Sequence, residues 1–202
     1  MMKKVWIQIG THNGKDTFNQ MVREKHPDRI ILVEPNALLN SEIIKNYVGV
    51  ESFAVIVNNA ITEKEKGVVR LVIPKGKPHY SDKNYSLLPM DDWGDNFQMI
   101  EVPSMTFMQL CERYNITDID FLQIDTEGYD AEIIKSIDFN QIHIRKIKYE
   151  KWAFDINCFK RYGEDANKYG INGMNEVAIL LKSLGYVLID GEYDITAVKV
   201  LK

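Results

Sequence analysis

The sequence predicts an α/β domain built on a mostly parallel sheet, with helices on both faces and an antiparallel strand at its C-terminal end. Short apolar runs alternate with segments of helical spacing along most of the 202 residues, as in consecutive βαβ units. The runs are apolar almost throughout rather than at every second residue, which fits a sheet covered on both sides. The last two runs, Tyr186 to Ile189 and Thr196 to Val200, read as a closing pair of strands.

Taken in order, Val5 to Ile9 is a compact strand ending at Gly10. Thr17 to Lys25 has helical spacing, with Phe18, Met21 and Val22 on one face. Arg29 to Glu34 is a second strand, closed by Pro35-Asn36. Leu38 to Tyr47 is a second helix that turns Leu38, Leu39, Ile43 and Tyr47 to the core. Glu51 to Val57 and Val68 to Ile73 are further strands, the latter open to antiparallel pairing. Pro74 to Pro103 breaks the pattern with Pro, Gly, Asp, Asn and isolated aromatics, and reads as a long ordered loop of the kind that carries function. Ser104 caps a helix to about Tyr114. Asp120 to Asp125 is a strand, Tyr129 to Ile137 a helix, Ile144 to Glu150 a strand, and Asn172 to Leu184 a helix stopped by Gly185. Nothing repeats and no linker interrupts the chain. Residues 1–202 are therefore read as one domain, with 74–103 and 151–171 as loops on the substrate side.

Bulk composition narrows the function. With 45% hydrophobic and 27% charged residues the chain is an ordinary globular protein, and a net charge of −4 without a basic stripe argues against nucleic acid as a partner. Cys111 and Cys158 form no metal-ligand pattern and read as reduced thiols. No apolar stretch suits a signal peptide or a membrane span, so the cytoplasm is the expected compartment and a membrane is not an expected partner.

The first turn, Gln8-Ile9-Gly10-Thr11-His12-Asn13-Gly14, places two glycines between a strand and a helix, where doubly wound sheets bind ligands. Twenty residues after Gly14 the second strand ends in Glu34, positioned to accept hydrogen bonds from the ribose hydroxyls of a nucleoside. No GK[ST] follows, which disfavours a P-loop, and the spacing departs from the dinucleotide GxGxxG, which makes NAD the weaker cofactor.

These residues resemble a known family. The Gln8–Gly14 turn followed by Thr17, then Val33-Glu34-Pro35-Asn36, is similar to the Asp-x-Gly-Ala-Asn-x-Gly turn and Glu-Pro-Asn strand end of FkbM methyltransferases. Asn58-Asn59-Ala60-Ile61 resembles that family's third strand end, and Asp120 to Asp130 its later Asp-Phe-Leu-Lys-Ile-Asp-Val-Glu-Gly-x-Glu strand. The matches fall in the family's order over about residues 5 to 150. The resemblance implies a Rossmann-like methyltransferase domain with S-adenosylmethionine as cofactor. Gly10, Asn13 and Gly14 would surround the methionine part, Glu34 would hold the ribose, and Asn59 with Ala60 would lie near the adenine. Gln8, His12, Thr17, Pro35, Asn36, Tyr85, Ser86 and Asp125 complete the expected contacts. Gln8 departs from the pattern, since the family carries an acid there. An amide still hydrogen-bonds but loses attraction for the cofactor's amino group.

Asp125, Glu127 and Asp130 surround the end of one strand and Glu150 ends the next. On neighbouring strands Asp125 and Glu150 would converge over one crevice. Asp130 also suits the dipole at the following helix N-terminus. Asp125, Glu127 and Glu150, with His79 from the long loop, are the candidate catalytic groups, removing a proton from a substrate hydroxyl as the methyl arrives. Carboxylates would equally suit Mg²⁺ or Ca²⁺, though a metal is not favoured and no His/Cys cluster suggests zinc.

Acceptor recognition falls to His79, Tyr80, Tyr85, Ser86, Asp91, Asp92 and Trp93, and to Trp152, Phe154, Asp155, Asn157, Phe159, Arg161 and Tyr162. Rings with amide and carboxylate neighbours suit a sugar or other small hydroxylated acceptor. The reading is an O-methyltransferase. A domain that binds the cofactor without catalysis, and a nicotinamide-dependent oxidoreductase, stand as alternatives, and the acceptor and oligomeric state stay open.

Overall fold

The computed structural model describes residues 4–50, 53–75, 85–88, 97–151 and 171–200. The first strand, β1 (Val5–Ile9), is buried at all five positions and lies between two parallel neighbours, β2 (Arg29–Val33) and β8 (Phe121–Ile124). Beyond β2 lies β3 (Ala54–Val57). Beyond β8 lie β10 (Lys146–Glu150), then β12 (Asp194–Lys199) and, at the edge, β11 (Tyr186–Asp190). β12 runs antiparallel to both its neighbours, which gives the expected closing pair.

Alternation along each strand sends side chains to opposite faces. On one face Trp6, Phe18 and Phe121 pack edge to face and stacked at 5.3–5.7 Å beneath α1 (Thr17–Lys25). The other face holds a larger core with Ile7, Ile9, Phe107, Ile133 and Tyr149. It is covered by α3 (Phe107–Tyr114), α4 (Asp130–Lys135) and α5 (Ile171–Ser183). Asp16 caps α1 by accepting the Asn19 N–H at 2.9 Å.

Four expectations need correction. The second helix begins as a 3-10 turn (Ala37–Leu39) capped by Asn36 and becomes α2 (Asn40–Asn46) only afterwards. This tighter phase throws Leu38 outward, 85% exposed, while Leu39, Ile43 and Tyr47 are buried. Residues 97–103 are strand rather than loop. β6 (Phe97–Thr106) pairs antiparallel with β5 (Val68–Pro74) and parallel with the short β4 (Ala60–Thr62), forming a second, three-stranded sheet. One side of that ribbon is open, so Gln98, Glu101 and Pro103 interrupt its apolar pattern. Ser104 sits inside β6, and Thr106 caps α3 because Gln109 completes a reciprocal capping box with it. The strand expected from Ile144 is divided, since His143–Ile144 (β9) pairs with Asp118–Ile119 (β7) before β10 begins.

Candidate active site

Parallel pairing brings the carboxyl ends of β1, β2, β3, β8 and β10 to one edge of the sheet. There the ends of β1, β2 and β8, with residues 59–61 after β3, line a cleft that is partly open to solvent, with about 430 Å³ of empty space when the part open to solvent is counted. Of the residues expected to contact a cofactor, Gly10, Glu34, Pro35, Asn59, Ala60, Tyr85 and Asp125 line it.

The turn after β1 is fixed from behind. Gly10 donates to the Val33 carbonyl at 3.0 Å and has φ +83°, and a Cβ there would meet the Asp125 carbonyl oxygen at 1.8 Å. Glycine is demanded by the end of β8 passing against the turn, not by close approach of a ligand. Gly14, at φ +71°, is required in the same way by the ring of Tyr47, 2.8 Å from its would-be Cβ.

Glu34 is 2% exposed and fully engaged on the protein side. One carboxylate oxygen accepts the His12 N–H at 2.8 Å and the other the Asn36 N–H at 2.9 Å. Burial pushes its pKa up to about 7, against the pull of those two N–H groups. His12 holds a left-handed backbone, φ 49°, and its ring lies 5.7 Å from that of Tyr85. Asn58 ties β3 to β2, donating to the Glu34 carbonyl at 2.8 Å and exchanging hydrogen bonds with Asn40.

Several expected contacts stand behind the cleft instead. Gln8 is buried and donates its amide to Asp16, so a carboxylate does sit beside the turn, one helix start away from the expected position. Asn13 accepts the Lys15 N–H at 3.1 Å, Thr17 opens α1, and Asn36 caps the 3-10 turn. Ser86 donates to the Glu127 carbonyl at 2.8 Å and so pins residues 85–88 to the loop after β8. The apolar wall of Ile61, Leu71, Leu87 and Tyr129 was not foreseen. Ile61 and Tyr129 fall inside the family-like stretches without having been read as wall residues, and no motif marks Leu71 or Leu87.

The acidic candidates do converge. Carboxylate oxygens of Asp125, Glu127 and Glu150 lie within 4.8 Å of one another, a donor set that could hold a hard cation. Asp125 opens to the cleft yet is hemmed in by protein, and burial, then Glu127 and Asp130, raise its pKa well above the usual carboxylate range. Burial, followed by the charges of Glu127 and Asp125, pushes Glu150 up to about 10. Asp130 begins α4 and is also a staple. Fully buried, it accepts the Thr126 N–H at 2.9 Å, the Thr126 hydroxyl, and the Glu150 N–H at 3.1 Å, joining the ends of β8 and β10. His79, Tyr80, Asp91, Asp92 and Trp93 lie outside the described residues, as do the aromatics and polar groups from Trp152 to Tyr162.

Comparison with known proteins places the fold. The chain superposes on an O-methyltransferase from Bacillus cereus in complex with S-adenosylhomocysteine at TM-score 0.52 and 11% identity, covering 98% of this chain and 74% of that one. It superposes on the Methanococcus jannaschii fibrillarin pre-rRNA processing protein at 0.50 and 10%, over 98% and 66%. Against the methyltransferase FkbM of Methylobacillus flagellatus the TM-score is 0.49 at 12% identity, over 96% of this chain and 43% of that one, so this chain spans under half of that protein. No curated protein matches the sequence significantly. Among the described residues no helix is long and apolar enough to cross a membrane. The FkbM methyltransferase domain profile matches residues 8–188, nearly the whole length. The chain belongs to the FkbM methyltransferase family.

Proposed function

We propose that this protein, read as one domain over residues 1–202, transfers a methyl group from S-adenosylmethionine to a hydroxyl of a small or glycan-like acceptor in the cytoplasm. The observation that carries the reading is that one cleft is lined both by the N–H-held carboxylate Glu34 and by Asp125, whose carboxylate converges with those of Glu127 and Glu150.

The residues present fit the cofactor. Glu34 retains acceptor capacity for ribose hydroxyls, Asn59 and Ala60 offer polar and small neighbours to an adenine, and Asp16, oriented by Gln8, supplies negative charge beside the turn. When bound, S-adenosylmethionine supplies an electrophilic methyl group. The chain's own work is then to align an acceptor oxygen and exclude water. Burial and the neighbouring negative charges raise the pKa of both Asp125 and Glu150, which favours a proton held among these carboxylates. A deprotonated member takes the acceptor's hydroxyl proton.

Calorimetric titration with S-adenosylmethionine and S-adenosylhomocysteine, with NADH as control, tests the reading. Micromolar binding of the first two that is lost in Glu34→Ala is expected. NADH binding alone would transfer the site to an oxidoreductase. Binding without methylation of any hydroxylated acceptor would leave a cofactor-binding domain.

A further inference from the structure

The carboxyl-edge cleft is not the only unusual surface. β11 is the outer strand of the seven-stranded sheet, and among the described residues no strand pairs with its free side. On the face away from α5, Val187 and Ile189 are 53% and 56% exposed, and Val200 beside them 54%. An edge strand with open hydrogen-bonding groups and an exposed apolar face is a pairing template unless something covers it.

The hairpin ladder shows which groups point outward. Gly191 donates to Asp194 and Val200 to Gly185, so Gly185, Val187, Ile189 and Gly191 face β12. By the alternation of antiparallel ladders, Tyr186, Leu188 and Asp190 direct their N–H and C=O groups to the free side.

We propose that β11 is the interface of a twofold dimer of this chain, pairing antiparallel with β11 of a second copy about an axis at Leu188. That register sets Leu188 opposite its own copy and Tyr186 opposite Asp190, satisfying every outward backbone group of the strand. On the exposed face it sets Val187 against Ile189 of the second copy, and the reverse, closing the apolar patch upon itself. Charge agrees. Arg145 and Lys199 flank the Tyr186 end of the strand, while Asp190 and Glu192 lie at the other, and antiparallel pairing brings unlike ends together. The exposed ion pair of Asp190 with Lys151, at 2.8 Å, is of the kind that holds weakly. The second copy is favoured over a foreign strand because the patch and its charges are complementary to themselves.

Light scattering during size-exclusion chromatography of the full chain, from about 1 to 100 µM, is the test. The expected result is a mass rising toward twice 23.4 kDa. Ile189→Lys should raise the dissociation constant at least about tenfold, and Val187→Glu on the same face should do likewise should Ile189→Lys not fold. Amide exchange adds an independent readout: Tyr186, Leu188 and Asp190 should become protected as concentration rises. A monomer at every concentration, or a dimer unchanged in the folded variants with these amides still exchanging freely, overturns the proposal.

Discussion

On the β2 side of the cleft a single carboxylate, Glu34, is met by two backbone N–H groups, whereas on the β8–β10 side the carboxylates of Asp125, Glu127 and Glu150 converge. Burial raises the pKa on both sides. At Glu34 the N–H groups oppose it and the group titrates near 7, while at Glu150 neighbouring negative charge reinforces it and carries the group to about 10. One side is a preformed acceptor for neutral donors such as hydroxyls. The other is a store of protons whose state changes when anything cationic or proton-bearing enters. On this contrast the proposed function gives binding to the first and proton handling to the second.

The two sides touch at Gly10, whose backbone lies against Asp125, so Gly10→Ala should have the largest effect. It combines a left-handed φ with an overlap against backbone that cannot yield, and should cost more than about 3 kcal/mol in denaturant unfolding. Gly49→Ala, at φ +89° with nothing within 4 Å, carries the strain alone and should cost about 1 kcal/mol. Equal losses in the two variants would show that contact with Asp125 contributes nothing.

Next in size is Asp130→Asn. An amide cannot accept from Thr126 and Glu150 together, because its nitrogen presents a hydrogen to one of them, and a loss of about 2 to 3 kcal/mol is expected. A melting curve unchanged within error would mean that the ends of β8 and β10 hold their spacing without it.

The parallel half of the fold was legible because β1, β2 and β8 are buried on both faces and therefore read as unbroken apolar runs. Glycines, the strand-ending Glu34 and the Asp125–Asp130 motif fell on recognisable spacings. In the ribbon β5 read as a strand but β6 did not, because β6 is half exposed and its polar residues and Pro103 look like loop. Roles were harder than positions. Nothing along the chain shows that Gln8 faces Asp16, since the two meet only after the turn has folded, nor that Asp130 reaches a backbone N–H twenty residues away.

Glu34→Gln sharpens the binding side. The amide can still accept one N–H but sets a donor against the other and loses charge toward ribose hydroxyls. Affinity for S-adenosylhomocysteine should fall about tenfold, or ~1.4 kcal/mol. Because the native carboxylate accepts best when ionised, wild-type affinity should weaken as pH drops below about 7. The variant's should not. Parallel pH profiles for the two proteins in calorimetry would remove Glu34 from the ligand's contacts.

Glu150→Gln tests the proton-storing side with the least disturbance at pH 5, because the amide resembles the protonated acid that the fold already contains. In the unfolded chain Glu150 ionises near 4.5, and in the fold only near 10, so between those values the native state holds the extra proton. Stability from this group is therefore complete below pH 4.5 and is lost as pH rises toward 10, with a limiting slope of ~1.4 kcal/mol per pH unit. Removing the titration should change stability by about 1 kcal/mol or less at pH 5 and leave the variant increasingly more stable than wild type toward pH 9. Urea midpoints at pH 5, 7 and 9 measure it. Curves that stay parallel would mean that Glu150 ionises in the fold as it does in the open chain. The storage of a proton would then fall to Asp125, whose pKa burial and its acidic neighbours also raise.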